Sequence, residues 1–404
     1  MSFQHGLSGL AAAAKNLDVI GNNVANANTV GAKASRTEFA DLYANSTSGS
    51  GGASAGTGVA VSGIAQQFGQ GDIVSTTNPL DMAINGRGFF RVSQNGAVQF
   101  TRNGQFRMDK DGYIVSAQGA RLTGYPSNAQ GQIVNGALTE LRISTADITP
   151  SPTATARAQL NLDAREPAIT TPAFDAADPD TYHSSMSMSV YDSLGREQQV
   201  SLYYRKVAAN SWEVYATAGG TPVAGVVATL QFNASGTLTS PTAPFNLTIP
   251  VGADAGGTMT YTMDLSRATQ FGASFATTEI TQDGFGAGRL SSFSADETGV
   301  LIGRYSNGQT RAQGQITLAN FVNPQGLIPM GNNVWVEGSA AGQPTLGSPG
   351  SGILGSLESS SVEGSNVDLT AELVNMITAQ RIYQANAQTI KTHDQLLQTM
   401  VNLR

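Results

Sequence analysis

No glycine or proline interrupts the chain between Val367 and Arg404. Along that run Leu369, Leu373, Met376, Gln380, Tyr383, Ala387, Ile390, Asp394, Leu397 and Val401 recur at steps of three and four, and all but Gln380 and Asp394 are apolar. The spacing predicts one long amphipathic helix with a coiled-coil-like seam. At ~1.5 Å per residue it would reach roughly 55 Å, too long for a surface element of a compact domain. Ser365-Asn366-Val367-Asp368 reads as its start, with Ser365 or Asn366 as cap and Asp368 favourable at the positive end. A helix of this kind is marginal until its apolar side is covered. The matching pattern lies at the other extremity, where Phe3, Leu7, Leu10, Ala14, Leu17 and Val24 share a face, with Ile20 flanking. Two such helices facing each other still leave part of each stripe open to water. Contact with further copies of the chain closes the gap, and a head-to-tail contact that does not close yields an open helical polymer. The competing reading docks both stripes on the chain's own β domains. Gly/Ser-rich segments separate the helices from those domains, which would constrain such docking only loosely. Gln380 and Asp394 either fix register inside the seam or sit at its edge.

Between the ends the pattern is β. Asn85-Gly86, Asn95-Gly96, Asn103-Gly104, Asp111-Gly112, Asn135-Gly136, Asp283-Gly284 and Asn307-Gly308 punctuate short alternating runs, the strongest local signal for tight hairpins. From Ile148 to Gln282 these dipeptides are absent, and prolines with strand-like runs such as Met186–Tyr191, Val200–Arg205 and Trp212–Ala216 replace them. Turn chemistry that changes and changes back predicts one β domain with another inserted into it. Ser46–Gly58 and Gly338–Gly355 are rich in Ser, Gly, Ala and Thr and read as linkers or lightly ordered loops. The expected fold is mainly β with long α-helical termini paired as a coiled-coil-like segment. Residues 1–27 and 367–404 form the helical polymerisation part, 28–70 and 355–366 the linker segment, 71–147 and 283–354 the discontinuous β domain, and 148–282 the inserted outer β domain.

Charged residues are 13% of the 404, against about 25% in an average soluble domain. A polar, thinly charged surface is easy to desolvate and suits broad contact with neighbours. A net charge of −7 with only 22 basic residues argues against a nucleic-acid groove. There is no cysteine, which removes disulfides, Cys-zinc sites and thiol catalysis together. Met1–His5 lacks a basic leader and Leu7–Ala14 is too weakly apolar for a secretory signal, so Sec-type export is not expected. The longest apolar stretch, Val223–Leu230, is far below the ~20 residues needed to cross a bilayer.

Enzyme signals are poor. Gly52-Ala53-Ser54-Ala55-Gly56 has the letters of a nucleophile elbow but lies inside a Gly/Ser tract without the required strand and helix. Asp109-Lys110-Asp111-Gly112 resembles the middle of a calcium loop, yet Arg107 and Gln118 fall at its first and last ligand places. Gly86-Arg87-Gly88 and Gly69-Gln70-Gly71 fail as phosphate loops because Arg91 and Asp72 stand where the next glycines or lysine belong. His5, His183 and His393 are scattered, without metal-ligand spacing. No catalytic, cofactor or metal site is expected.

Asn16-Leu17-Asp18-Val19-Ile20-Gly21-Asn22-Asn23-Val24-Ala25-Asn26 resembles the N-terminal signature of the bacterial flagellar rod and hook protein family. Leu80–Phe90, Thr101-Arg102-Asn103-Gly104 and Asp111-Gly112-Tyr113 look like that family's shared β module, and Ser365–Leu369 with Ala379-Gln380-Arg381 and Tyr383–Asn386 resembles its C-terminal signature. Within these motifs Asn22, Asn23, Asn26, Asn366, Asp368, Gln380 and Arg381 are the signature positions. Tyr191-Asp192-Ser193-Leu194-Gly195, Trp212 and Thr269-Gln270-Phe271 resemble the insertion that distinguishes the family's hook branch from its shorter rod branch. The resemblance implies a homopolymer shaped as a curved tube, a universal joint carrying motor torque, with Leu7, Leu10, Leu17, Ile20, Val24, Leu369, Leu373, Met376, Tyr383, Ile390, Leu397 and Val401 packing around a central channel. It further implies export through the flagellar type III apparatus without a cleaved signal. The implied partners are rod, hook-cap and hook–filament junction proteins, without nucleic acid, cofactor or lipid-embedded segment. Two departures stand out. Gly31-Ala32-Lys33 lacks the family's usual aromatic between glycine and lysine, and both Leu357-Glu358 and Val362-Glu363 fit the acidic doublet ahead of the C-terminal signature.

Three other functions compete. A distal rod protein would lack the inserted domain. An extracellular adhesin would display aromatics there, with Tyr203, Tyr204, Trp212 and Tyr215 as the residues to watch, although they alternate like core strand residues. A glycan hydrolase would need two convergent carboxylates that no motif locates.

Overall fold

Asn95 and Gly96 both adopt left-handed backbone, with φ of 52° and 84°, and close the two-residue hairpin between strands Phe89–Gln94 and Ala97–Thr101. That geometry matches the natural twist of paired strands and is why Asn-Gly is favoured there. The computed structural model that shows this describes residues 2–42 and 58–402. The hairpin sits in a larger sheet whose antiparallel path runs Thr310–Ile316, Arg121–Pro126, Phe89–Gln94, Ala97–Thr101, Val334–Val336 and Ile328–Gly331. Phe89, Phe100, Phe321, Leu327 and Trp335 fill its core. Their rings meet edge to face, Phe100 and Phe321 at 4.8 Å, a geometry that adds about 0.5–1.5 kcal/mol per pair beyond area burial.

The chain divides into two compact units. One holds residues 1–144, 292–303 and 310–404, and the other holds 145–291 and 304–309. The second unit is a two-sheet sandwich. One sheet is built on Thr155–Asp163, which pairs in parallel with Thr258–Asp264 and Thr269–Phe271. The other runs Ser184–Tyr191, Glu197–Ala208, Ser211–Ala218 and Ala228–Phe232. Alternate residues of both sheets share one core, with Trp212, Tyr204 and Met263 fully buried. This unit begins a few residues before and ends several residues after the expected 148–282, because Ile148 and Ser151 bridge to Gly288 and Phe285. It also takes the turn at Asn307-Gly308, whose Asn307 Nδ2 donates to the Gly286 carbonyl at 2.7 Å.

Asp283-Gly284 is not a hairpin turn. Its carboxylate instead accepts from the amides of Ala154 and Thr155, both at 2.9 Å, and from the Thr155 hydroxyl at 2.8 Å. The expected linkers are also more ordered than their composition suggests. Ser35–Leu42 and Gly58–Gln66 form an antiparallel hairpin within 28–70. Ser356–Ser359 and Ser361–Glu363, inside 355–366, zip onto Met82–Asn85 and Ile73–Ser75. Within 338–355, Thr345–Gly347 pairs with Leu318–Asn320. A short polar strand becomes ordered when a partner strand from elsewhere in the chain supplies its hydrogen bonds, which local composition does not report. The tract holding Gly52–Gly56 lies outside the described residues, as does most of Ser46–Gly58.

Candidate assembly site at the chain ends

Helix α1 spans Ser2–Ala25 and helix α2 spans Leu369–Asn402. The cap of α2 is Asp368, not Ser365 or Asn366. Its Oδ1 accepts from the amides of Thr370 and Ala371 at 2.9 and 3.1 Å, satisfying two of the donors that a helix start leaves open. Ser365 serves the preceding turn through Val367 N at 3.3 Å.

Asn366 is a bridge. Its Oδ1 accepts from Ala34 N at 2.7 Å while its Nδ2 donates to the carbonyls of Gln67 and Gly69 at 2.7 and 3.1 Å. The start of α2 is thereby tied to the segment leaving α1. Asn23 makes the reciprocal tie from α1. It pairs with both backbone groups of Ser35 at 2.9 and 2.8 Å and donates to Glu372 Oε1 of α2 at 3.0 Å. Asn26 donates to the Asn22 carbonyl through both its backbone amide, at 3.1 Å, and its Nδ2, at 2.9 Å, and so braces the end of α1. Of the signature positions, Asn23 and Asn366 make the junction, Asp368 caps α2 and Asn26 braces the end of α1, while Asn22, Gln380 and Arg381 are exposed.

The helices run antiparallel and meet over small residues. A Cβ placed on Gly6 would lie 3.0 Å from Ile390, and one on Gly9 would lie 2.8 Å from the Asn386 amide. The other side of α1 faces the Ser35–Gln66 hairpin, where Ser8 Oγ accepts from Val59 N at 3.4 Å. Ile20 is buried, and Leu10, Leu17, Val24, Met376 and Ile390 are half-buried. Leu7, Leu369, Leu373, Tyr383 and Leu397 are exposed, Leu373 by 45% and Leu397 by 57%. The side chain of Val401 lies outside the described residues. The side of α2 turned toward α1 is the row Glu372, Met376, Ala379, Asn386, Ile390 and His393, set about one position away from the seam read in the sequence. Gln380 and Asp394 are exposed, and the polar residues on the side turned toward α1 are Glu372, Asn386 and His393. Val374, Ile377, Ile382 and Leu396 widen the outward apolar surface, with Val374 60% exposed. The single chain therefore leaves most of the α2 seam in water.

Below the helices is a group that no local pattern announced. Lys33, Arg102 and Glu363 converge with their side chains at most 5% exposed. The acidic doublets also separate there: Glu358 is at the surface, accepting from Asn85 Nδ2 at 2.8 Å, while Glu363 is buried. In the inserted unit Tyr204 and Trp212 belong to the core, whereas Tyr203 and Tyr215 lie on the opposite face, under Phe174, which stacks on Tyr215 at 4.1 Å. Among the described residues no His, Cys, Asp and Glu side chains cluster as a metal site, and no helix is long and apolar enough to cross a membrane.

Four family models match in chain order. They are a flagella basal body rod protein at residues 3–33, a flagellar hook protein FlgE/F/G D1 domain at 83–163, a flagellar basal body protein FlaE D2 domain at 161–285, and a flagellar basal body rod FlgEFG protein C-terminal region at 358–403. Flagellar hook protein FlgE of Escherichia coli K12 is 42% identical, with both chains covered in full. The chain belongs to the FlgE family of bacterial flagellar hook proteins. FlgE of Salmonella typhimurium LT2 is 41% identical over all of both chains, and that of Borreliella burgdorferi is 34% identical over all of this chain and 99% of that one. The solved hook protein FlgE2 of Helicobacter pylori has a TM-score of 0.54 at 16% identity, covering 70% of this chain and 99% of that one, and so supports the FlgE-type fold alone. As an FlgE-family member, the chain is a structural subunit of the homopolymeric flagellar hook.

Proposed function

We propose that copies of this chain stack through α1 and α2 into a tube, with the exposed seam of α2 as the principal adhesive surface. The observation that supports this is the outward row Leu369, Leu373, Ile377, Tyr383 and Leu397, left in water by a helix whose other side is already occupied by α1. Burying a Leu or Ile side chain removes about 1.5–3 kcal/mol of unfavourable hydration, so a handful per subunit drives association once copies stack in register. The seams supply cohesion, while the thinly charged β surfaces exchange polar contacts through water as the tube bends. In this reading the tube is a universal joint between rod and filament. It is reached by type III export, and rod, cap and junction proteins meet it at its ends.

The experiment is polymerisation of the purified full chain, followed by sedimentation and electron microscopy, beside the variant Leu373→Asp/Ile377→Asp. The expected result is tubes from the parent chain, and a folded variant that stays monomeric at concentrations where the parent assembles. A variant that forms tubes at the parental concentration would refute the reading.

A further inference from the structure

Glu363 joins three chain segments that lie far apart in sequence. Its Oε1 accepts from Lys33 Nζ at 2.6 Å and from Gly71 N at 3.0 Å, and its Oε2 accepts from Arg102 Nη1 at 2.9 Å. Its backbone carbonyl accepts from Gly31 N at 2.8 Å. Lys33 Nζ also donates to the Gly69 carbonyl, and Arg102 Nη2 to the Gly86 carbonyl, each at 2.8 Å. The Arg102 guanidinium lies 5.4 Å from the Phe89 ring of the β-domain core. Lys33 belongs to the segment leaving α1, Arg102 follows strand Ala97–Thr101, and Glu363 ends the last strand before α2. Gly31 is at φ 71°, and a Cβ there would stand 2.5 Å from Asn103 N, so the α1 exit segment runs directly against the Arg102 turn.

Two cations against one anion, taken out of water, form an expensive arrangement. Well-packed apolar residues of equal volume often stabilise a fold as much or more. Burial pushes the Lys33 ammonium below its ordinary range, and the Glu363 carboxylate opposes that shift. What the ionic group supplies beyond packing is direction. One carboxylate with two cations and an amide aimed at it admits a single arrangement of the three backbones. The strand ending in Glu363 pairs over only three residues, Ser361–Glu363 with Ile73–Ser75, too short a ladder to hold a long helix in a fixed pose by itself.

We propose that Glu363 is the positioning residue for assembly, locking the exit of α1 and the entrance of α2 to the β domain so that both helices meet neighbouring copies in one register. The assembly role of the helices is the reading proposed above, on which this inference rests. The lock is charge-specific. Removing Lys33 leaves a neutral Arg102–Glu363 pair that still joins β domain to α2, whereas removing the Glu363 charge breaks the ionic ties to Lys33 and Arg102 together and leaves only the backbone and Asn366 contacts.

The test compares the full chain with Glu363→Gln, Lys33→Met and Lys33→Met/Glu363→Gln. Two readouts are taken: amide exchange at residues 29–36 and 361–372, and the critical concentration for tube formation. In Glu363→Gln and the double variant the exchange protection is expected to fall and the critical concentration to rise, each by at least about tenfold, equivalent to about 1.4 kcal/mol. Lys33→Met is expected to stay within about threefold of the parent, and amide exchange across residues 200–218 of the inserted unit to stay unchanged in all three. Should Glu363→Gln fail to fold, the double variant decides, because it keeps the parent's net buried charge while lacking the tie. Parental exchange and critical concentration in the double variant would overturn the proposal, as would equal damage from Lys33→Met and Glu363→Gln. A parent chain that forms no tubes at any concentration refutes the assembly reading instead, and the exchange readout alone then judges the lock.

Discussion

Asn386 stands directly over Gly9, with its Oδ1 and Nδ2 at 2.8 and 2.9 Å from where a Cβ on that glycine would lie. One turn earlier Gly6 admits Ile390 in the same way, at 3.0 Å. Glycine inside a helix costs about 1 kcal/mol relative to alanine, so α1 gives up intrinsic stability to bring α2 close.

Size at position 9 should therefore separate two effects. Gly9→Ala is expected to be near neutral, because the Asn386 amide can rotate away and alanine restores about 1 kcal/mol of helix propensity. Gly9→Leu has no such escape and should weaken the helix pair by about 1–3 kcal/mol, as overpacked sites do. Amide exchange along α1 and α2 in the full chain checks the contrast.

Asp368→Ala should fray the start of α2 at a cost of about 1 kcal/mol, since the side chain alone covers the Thr370 and Ala371 amides. Faster exchange at those two amides, with the middle of α2 unaffected, is the expected pattern. Asp368→Asn keeps the acceptor and should restore most of the protection.

The inserted unit offers a paired test of buried polar groups. Tyr204 is fully buried, and among the described residues its hydroxyl has no hydrogen-bond partner, so Tyr204→Phe should leave the melting temperature unchanged or raise it. Trp212 Nε1 donates to Gln270 Oε1 at 2.8 Å, both buried. Gln270→Leu strands that donor and should cost about 1–3 kcal/mol in calorimetry.

Acid should loosen the same unit. The Arg165 side chain, hydrogen-bonded to Asp163, holds the Asp163 carboxyl at about 2, below its ordinary 3.8. Hydrogen bonds from Ser266 lower Asp264, and those from Arg196 lower Asp254. A carboxylate depressed in the folded state favours folding fully above its unfolded value, and that contribution disappears as pH falls through the folded value. The melting temperature is thus expected to drop between about pH 4 and pH 2, and to drop less steeply in Asp163→Asn.

Much of this molecule was readable from local chemistry. A long run without glycine or proline, apolar at helical spacing, marks 369–402 as helix, although its stability depends on what covers its apolar side. Asn95-Gly96 commits its flanks to a hairpin because both turn residues must adopt positive φ. The alternation of Tyr203, Tyr204, Trp212 and Tyr215 read as core strand, but only Tyr204 and Trp212 lie in the core, with Tyr203 and Tyr215 on the opposite face under Phe174. The same reasoning misassigned Asn85-Gly86, Asn103-Gly104 and Asn135-Gly136, which join no paired strands, and Asp283-Gly284, where the carboxylate serves amides more than a hundred positions away.

Tertiary structure alone decided the rest. Which row of α2 meets α1 depends on the shape of the partner helix, and the glycines at 6 and 9 admit Ile390 and Asn386, on a row that shares only Met376 and Ile390 with the greasier seam. Lys33 and Glu363 are 330 positions apart, and Arg102 and Glu363 are 261 apart. Periodicity reports only neighbours along the chain, whereas a buried ion cluster is fixed by loop closure and desolvation, which act through space.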